Sequence, residues 1–310
     1  MSSQRIDLPS VSVVIPTRWR PELVRAAVRA ALAQEYEGHI EVIVVFDQQA
    51  VDPLDDIQVP AGSRALLTLA NTRTPGLAGG RNTGILAAQG ELVAFCDDDD
   101  EWMPAKTRRQ VLAWQQDPSA VLVATGIRIV TADGTHDRLP PERSDFPDLL
   151  KSRITELHPS SYLLRREDLL GDVGLIDEVL PKSYGEDYDL LLQAARVGHV
   201  LGIREPLIIV GWNQASFFKE DWQGIADALS YLLTKHPEFA HSAIGSARIE
   251  GQIAFALAAL GQHAGARSWA GKAIRHDRSQ IRAYAAMAIA ARLVPPGPLV
   301  HMVNRRGRGL

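Results

Sequence analysis

Five consecutive acidic residues, Asp97 to Glu101, directly follow a short apolar segment. Leu92 to Cys96 is apolar and is preceded by Gly90, a pattern that predicts a short buried strand. In open α/β sheets, ligands bind beyond the carboxyl ends of the strands, which is where these acids lie. Carboxylates placed close together repel one another, so a cation or hydrogen-bond donors must compensate their charge.

A divalent metal ion is one way to compensate this charge. Oxygen ligands suit Mg²⁺ or Mn²⁺, and Mg²⁺ is usually held by one or two carboxylates together with substrate phosphates. The alternative is an acidic turn that caps the following helix, which would be the favoured interpretation of an isolated run of aspartates. The elements around the run decide between the two.

The N-terminal part of the chain alternates strands and helices in the order that produces a parallel sheet. Val11 to Pro16 and Ile40 to Phe46 are predicted to be buried strands, and Pro21 to Gln34 has the apolar spacing of a helix. Two strands joined by a helix form a βαβ unit, whose sheet is parallel and covered on both faces. Ala65 to Leu69 predicts one more strand. The fold class is therefore expected to be α/β.

Later segments extend this pattern. The glycine-rich turn at Pro75 to Gly84 leads into a predicted helix at residues 81–89. A helix at 106–116 and strands at 120–130 and 200–210 are also predicted, whereas three prolines and many charges predict an irregular segment at 131–152. Gly185 to Leu191 places two acids at the start of a helix that ends near Gly198.

Composition limits the class of protein. The chain has 310 residues, is 46% hydrophobic and 23% charged, and has a net charge of −4. It has no N-terminal signal pattern and no apolar run approaching about 18 residues, so neither secretion nor a membrane span is expected. The single cysteine, Cys96, excludes an internal disulfide and a cysteine-rich zinc site and fits a reducing cytoplasm. No nucleic-acid partner is expected.

The charge is unevenly distributed. Residues 245–310 contain ten Lys or Arg and two Asp or Glu, whereas residues 1–244 contain 23 and 35. This asymmetry and an alanine-rich helical pattern at 220–292 predict a separate C-terminal segment. The basic end, Asn304 to Arg308, could contact anionic lipid at the inner face of a membrane, but three arginines attract weakly and an inert solvated tail is favoured. A homo-oligomer is compatible with the sequence.

Taken together, the motifs resemble family 2 glycosyltransferases of the GT-A fold. The resemblance spans roughly residues 11–215 and is carried by five stretches in the same order: Val11–Thr17, Ile40–Asp47, Gly79–Gly84, Gly90–Trp102 and Gly185–Leu190. It implies a Rossmann-like, mostly parallel sheet flanked by helices, with a C-terminal α-helical extension. The implied domains are 1–215, which binds donor and acceptor, and 216–310.

The resemblance implies a role for each acid of the central run. Asp97 and Asp99 correspond to the DxD motif and would hold the divalent cation, Mn²⁺ or Mg²⁺, that bridges the donor diphosphate. Asp98 and Asp100 would be helpers or caps. The donor-binding set implied in this way is Pro16, Thr17, Arg18, Asp47, Gly79, Arg81, Asn82, Asp97 and Asp98.

The same resemblance implies the acceptor side of the reaction. Asp187 matches the family's general base, and Glu186 would orient it or contact the acceptor, although acids at a helix start are also explained by capping. His158, Ser160 and Trp102 are expected near the acceptor, with a purely structural role as the alternative for the histidine.

Two departures from the family pattern affect the donor and the metal. Phe46 stands where the family commonly has the first of two acids after strand two, which affects base and ribose recognition. The segment from Trp212 to Ser216 has no histidine, so a third protein metal ligand is not expected there.

The expected function is a metal-dependent inverting glycosyltransferase. Its donor would be a nucleotide sugar, by default a UDP-sugar, and its acceptor a carbohydrate, a lipid-linked molecule or a small molecule. A sugar nucleotidyltransferase should have a glycine-rich loop with Arg and Lys after strand one, and Thr17 to Arg20 is not such a loop. The non-enzyme alternative is a nucleotide-sugar-binding scaffold that has lost turnover.

Overall fold

The computed structural model describes residues 8–131, 134–211 and 221–295. The chain forms two compact units. The first comprises Met1–Phe146, Glu156–Glu178 and Leu190–Gln214, and the second comprises Pro147–Thr155, Val179–Asp189 and Ala215–Leu310. The predicted boundary between residues 215 and 216 lies outside the described residues. Two internal segments that the sequence assigned to the first domain, 147–155 and 179–189, belong to the second unit.

Ten strands of the first unit form one sheet. They are β1 (Val11–Thr17), β2 (Ile40–Phe46), β3 (Arg64–Ala70), β4 (Leu92–Phe95), β5 (Asp100–Trp102), β6 (Ala120–Thr131), β7 (Gly134–Arg138), β8 (Arg143–Ser144), β9 (Leu163–Arg165) and β10 (His199–Gly211). The strand order is β3, β2, β1, β4, β9, β6, β10, β5, with β7 beside β6 and β8 beside β10.

Pairing is parallel from β3 to β4, as the βαβ pattern predicted, and again between β6 and β10. The short strand β9 separates these two parts and runs antiparallel to both β4 and β6. Because β1, β2 and β4 are parallel, their carboxyl ends lie at the same edge of the sheet. That edge receives the loops that follow Thr17, Phe46 and Phe95.

The described residues also form ten α-helices. They are α1 (Pro21–Leu32), α2 (Leu77–Ala87), α3 (Lys106–Gln116), α4 (Phe146–Lys151), α5 (Arg166–Leu170), α6 (Glu186–Val197), α7 (Trp222–Lys235), α8 (Ala243–Ala259), α9 (His263–His276) and α10 (Ile281–Ala290).

The core of the first unit lies between its central strands and helix α1. Every residue of β1 is buried, and so is nearly all of β2, because both strands are covered on both faces. Helix α1 contributes one apolar stripe, including Val24 and Val28, to the same core. The resulting rigid sheet fixes the positions of the loops at its carboxyl edge.

Helix α2 begins at Leu77, earlier than the predicted residue 81, so the glycines lie inside the helix and not in a turn. Gly76, with φ of 114°, precedes the helix in a conformation that favours glycine. A Cβ atom at Gly79 would lie 1.9 Å from the carbonyl oxygen of Thr74, and one at Gly84 would lie 2.3 Å from Val14 Cγ1. These glycines therefore allow close packing of α2, which offsets their low helix propensity.

The second unit is helical, as the alanine-rich pattern predicted. Helix α8 packs against α7, α9 and α10, and small buried residues such as Ala254, Ala258 and Ala270 allow the close approach. The predicted basic tail from Asn304 to Arg308 lies outside the described residues. Within the described part of the chain, we find no helix whose length and apolar character would let it cross a membrane.

Candidate functional site

Two of the acids follow strand β4 and are held by the loop after β1. Arg20 Nη1 donates to Asp98 Oδ1 at 2.9 Å and to Asp99 Oδ2 at 2.8 Å. Thr17 Oγ1 donates to the other oxygen of Asp98 at 2.7 Å. The β1 loop thus holds these acids through Thr17 and Arg20, an arginine not singled out from the sequence. The predicted contacts of Thr17 and Arg18 with the nucleotide stay predictions.

Asp97 is held by a buried cation from helix α2. Arg81 Nη2 donates to Asp97 Oδ1 at 2.6 Å, and the guanidinium also lies 5.8 Å from the centre of the Phe95 ring. Arg81 is 1% exposed, whereas the Asp97 side chain is 22% exposed. The sequence predicted both residues in one site, and the structure brings them into contact. The Asp97 carboxylate is therefore held by Arg81 and is still accessible to a ligand.

Asp100 belongs to a second, more deeply buried group around Ser160. The Ser160 hydroxyl bonds to Asp100 Oδ2 and accepts a hydrogen bond from the Asp97 backbone N–H at 2.9 Å. His158 Nδ1 lies 3.4 Å from the same Asp100 oxygen. Trp102 Nε1 donates to the Ser160 carbonyl at 3.0 Å. The side-chain polar atoms of Ser160 and Trp102 are thus engaged inside the protein, and their contact with an acceptor stays a prediction.

The carboxylates alter one another's ionisation. Burial raises the pKa of Asp98, although hydrogen bonds from Thr17 and the charge of Arg20 oppose the rise. Burial, followed by the negative charge of Asp97, raises the pKa of Asp100 well above its usual range. A further positive charge would relieve this repulsion.

The residues present fit a divalent cation. Among the described residues, Asp97, Asp100 and His158 each offer a ligand atom, and these atoms lie within 4.8 Å of one another. Carboxylate oxygens with one imidazole nitrogen are a donor set that Mn²⁺ accepts. Asp99, the other predicted ligand, is outside this group, and its carboxylate is on Arg20 with 26% of the side chain exposed.

Asp47 and Asn82 have structural partners. Asp47 Oδ1 accepts from Asn71 at 2.8 Å, and its Oδ2 accepts from the Gly76 backbone N–H at 3.0 Å, which holds the start of α2. Asn82 Nδ2 donates to the Ile176 carbonyl at 2.8 Å and to Glu178 at 2.7 Å. Their predicted contacts with the donor stay predictions.

Glu178 joins this region and had no recognisable sequence pattern. Its carboxylate accepts hydrogen bonds from Asn82, Thr74 and Arg73. Burial raises the pKa of Glu178, but these hydrogen bonds outweigh burial and lower it to about 2. Glu178 is therefore a fixed anion that attaches residues 176–178 to the start of α2.

The remaining predicted donor residues lie close to the same edge. Pro16 is buried inside β1, and a Cβ atom on Gly80 would lie 3.2 Å from its Cβ. Arg18 is exposed. Trp19 is 68% exposed with φ of 57°. Its backbone N–H donates to Gln49 Oε1 at 2.6 Å. A left-handed, exposed tryptophan is a backbone outlier of the kind that occurs at functional sites.

The predicted general base lies in the second unit. Arg153 Nη2 donates to both oxygens of Asp187, at 2.8 Å and 2.7 Å. Asp187 is 9% exposed and Glu186 is 5% exposed. Gly185, with φ of 83°, turns the chain into α6. The carboxylate of Asp187 is thus held in one orientation by a guanidinium that the sequence analysis did not identify.

A buried ionic group anchors the same helical turn. Asp189 is fully buried and accepts hydrogen bonds from Lys235 Nζ and His236 Nε2, both at 2.7 Å. The Tyr188 hydroxyl donates to the Leu149 carbonyl at 2.6 Å. Asp189 and Tyr188 therefore fix the first turn of α6 within the second unit, next to Asp187.

Lys106 is a fully buried amine of the first unit. Its Nζ donates to Gln110 Oε1 at 2.7 Å and lies 3.6 Å from the centre of the Trp102 ring. The ring face favours the charged amine. Burial dominates, however, and lowers the pKa of Lys106 to about 7, against a small opposing effect of Cys96.

Replacing Lys106 by methionine should remove a pH dependence of stability. The unfolded chain binds this proton up to about pH 10.4 and the folded chain only up to about pH 7, so the free energy of unfolding of the wild type should rise with pH between these values. The expected slope is about 1.4 kcal/mol per pH unit. Urea unfolding at several pH values would measure the difference between wild type and Lys106→Met, with Lys151→Met as the exposed control. An identical pH profile for wild type and Lys106→Met would contradict this.

Comparison with known families shows a match between residues 12–170 and the model for "Glycosyl transferase family 2". The succinoglycan biosynthesis protein ExoO of Rhizobium meliloti is 31% identical over 216 residues, which are 64% of this chain and 59% of ExoO. The UDP-Glc:alpha-D-GlcNAc-diphosphoundecaprenol beta-1,3-glucosyltransferase WfaP of Escherichia coli is 34% identical over 101 residues, 33% of this chain and 39% of WfaP. The aligned regions thus span less than two thirds of either relative.

Solved structures show the same fold. The crystal structure of S. aureus TarS 1–349 in complex with UDP-GlcNAc has a TM-score of 0.60 with 17% sequence identity, and the match covers 96% of this chain and 92% of that chain. At this level of identity the likeness concerns the fold alone. The mixed sheet flanked by helices is thus a GT-A type fold, as the sequence predicted.

Proposed function

Because the chain belongs to glycosyl transferase family 2, we propose that it moves a sugar from a nucleotide diphosphate sugar to an acceptor hydroxyl with inversion at the anomeric carbon. A UDP-sugar is the proposed donor. The acceptor is a carbohydrate, a lipid-linked molecule or a small molecule, in the synthesis of a polysaccharide, glycolipid or glycoside. The observation that carries the proposal is the group of carboxylates and arginines at the carboxyl edge of the sheet.

The names of similar proteins support this choice of chemistry. ExoO is named for succinoglycan biosynthesis, and the name of WfaP gives UDP-Glc as donor and a diphosphoundecaprenol-linked sugar as acceptor. TarS was crystallised with UDP-GlcNAc. Each name describes the other protein, and we extend only the shared class, a nucleotide sugar and a glycan acceptor, to this chain.

We assign the donor diphosphate to the edge that carries Asp97, Asp99 and the two arginines. The carboxylates of Asp97 and Asp99 are partly exposed, whereas that of Asp100 is buried. We therefore assign the cation to Asp97 and Asp99. Asp100 is assigned a supporting role, because its partner Ser160 also accepts from the Asp97 backbone N–H. When bound, a divalent cation would neutralise the charge that develops on the departing diphosphate. Arg20 and Arg81 orient the carboxylates and add positive charge at the same edge.

Asp187 is the proposed general base. As the acceptor oxygen forms its bond to the anomeric carbon, the carboxylate takes the hydroxyl proton, and the bond to the nucleoside diphosphate breaks with its electron pair on the departing phosphate oxygen. Arg153 holds both carboxylate oxygens of Asp187 and so limits its rotation. Glu186, the preceding residue, orients the base or contacts the acceptor.

Trp19 is proposed to stack on the donor base. An exposed aromatic side chain offers a face to which every nucleobase can stack, and such stacking contributes about 1–3 kcal/mol per base. Trp19→Ala should therefore weaken UDP binding by at least about 5-fold, whereas Trp19→Phe should keep most of it. Calorimetric titration would measure both affinities. Unchanged affinity in Trp19→Ala, at an unchanged melting temperature, would remove Trp19 from the donor site.

Release of nucleoside diphosphate from a panel of nucleotide sugars tests the proposed function. We expect the full chain to turn over at least one UDP-sugar in Mn²⁺ and to lose this activity in EDTA. Binding of a donor without turnover, with or without glycan acceptors, would indicate the scaffold alternative. Failure to bind any nucleotide sugar would contradict the proposal.

A further inference from the structure

One face of α10 is apolar and exposed. Ile281 is 73% exposed, Tyr284 is 48% exposed and Met287 is 37% exposed. These residues recur every third position, so they form one row along the helix, which we name the α10 stripe. Leu293, just after the helix, is 78% exposed. The opposite face of α10 is buried against α8 and α9.

A row of this kind differs from scattered surface residues. Single exposed aliphatic side chains are normal in folded proteins, and Val179 is an example at 75% exposure. Several large apolar side chains in one row, by contrast, indicate a surface that binds something. The α10 stripe consists of an isoleucine, a tyrosine and a methionine. Apolar and aromatic side chains of this kind enter the boundary between lipid headgroups and acyl chains.

The surroundings of the α10 stripe are basic. Residues 262–295 contain six Arg or Lys and one acid, Asp277. Arg278 is exposed before the start of the stripe, and Arg292 is exposed just after its end. The Asp277 carboxylate accepts hydrogen bonds from the Ser279 backbone and side chain. The charge next to the stripe is therefore positive.

We propose that the α10 stripe docks on an anionic lipid bilayer. The apolar side chains would enter the headgroup boundary, and the flanking arginines would contact lipid phosphates. A symmetric contact between two copies fits less well, because it would bring Arg278 and Arg292 of each copy towards those of the other. The positive charge thus favours an anionic surface over a second copy of the chain.

Sedimentation of the full chain with lipid vesicles tests this proposal. We expect binding to vesicles of phosphatidylcholine with phosphatidylglycerol, much weaker binding to phosphatidylcholine alone, and loss of binding as salt is raised. Equal binding to the two vesicle types, or binding to neither, would overturn the proposal.

Substitutions locate the binding to α10. Ile281→Asp should lower the partition onto anionic vesicles by about tenfold or more, because it removes a large apolar side chain and adds a negative charge. The helix dipole stabilises a negative charge at the first position of a helix, so this variant should fold. Leu293→Asp, outside the helix, provides a second test. Val179→Asp is the matched control, with a similar exposure and the same charge change, and should bind within about twofold of wild type.

Two other results would show that the α10 stripe does not dock on lipid. If Ile281→Asp and Leu293→Asp both bind anionic vesicles as wild type does, the α10 stripe is not the membrane surface. If light scattering shows a wild-type dimer that Ile281→Asp converts to a monomer while vesicle binding is unchanged, the stripe is an interface between copies. Either result would overturn the proposal.

Discussion

Asp187→Asn is expected to lower sugar transfer by at least about 10²-fold, because asparagine cannot accept the acceptor proton. Asparagine keeps the size of the side chain and can still accept a hydrogen bond from Arg153. It also remains a good residue for a helix start, so little stability should be lost. Initial rates of transfer, together with the melting temperature and donor affinity, would measure the effect.

Asp189→Asn is the matched control for this prediction. It lies in the same helical turn, but its carboxylate is buried on Lys235 and His236. Breaking a buried ion pair costs about 3–5 kcal/mol, so Asp189→Asn should chiefly lower the melting temperature. The opposite pattern, with wild-type transfer rates in Asp187→Asn, would move the base elsewhere. Glu186 would then be the first residue to test.

Asp99→Asn is expected to abolish the part of donor binding that depends on Mn²⁺. The fold should be intact, because the side chain is partly exposed and Arg20 keeps Asp98 as its partner. Two-carboxylate sites lose most of their affinity for a hard cation when one ligand becomes neutral. Titration of UDP in Mn²⁺ and in EDTA would measure the loss.

His158→Gln distinguishes the proposed cation site from the neighbouring group of Asp97, Asp100 and His158. If Asp97 and Asp99 hold the cation, His158→Gln should keep Mn²⁺-dependent binding. The reverse result, with binding kept in Asp99→Asn and lost in His158→Gln, would move the cation to the group of Asp97, Asp100 and His158.

The elements that the sequence predicted best are those buried on both faces. The observed bounds of β1, Val11–Thr17, extend the predicted strand by one residue, and β2 has the predicted bounds, Ile40–Phe46. A continuous run of valine and isoleucine is typical of a strand that is covered on both faces by helices. The parallel part of the sheet, and the acids at its carboxyl edge, followed from these runs.

Predictions were wrong where tertiary packing overrides local preference. Glycines argued against a helix at residues 77–80, but α2 packs too closely on Thr74 for any other residue at Gly79. Residues 131–152 were predicted to be irregular, yet β7 pairs with β6 and α4 follows. The ion pair of Arg128 with Asp137 joins those two strands, and exposed charged pairs leave no apolar alternation in the sequence.

Partners within the site were the least predictable feature. Arg20 and Asp98 are separated by 78 residues, and Ser160 and Asp100 by 60. Acids that follow an apolar strand are visible in a sequence, but the arginine or serine that holds each acid depends on how distant segments meet. The same reason explains why the Arg153 contact with Asp187 was not foreseen.

The anomeric form of the first product distinguishes an inverting transfer from a retaining one. Proton NMR can follow the hydrolysis of a UDP-α-sugar by the full chain in Mn²⁺, with water in place of the acceptor. A single displacement with Asp187 as base predicts that the β-anomer of the free sugar forms first and then equilibrates. Initial formation of the α-anomer would contradict the inverting mechanism.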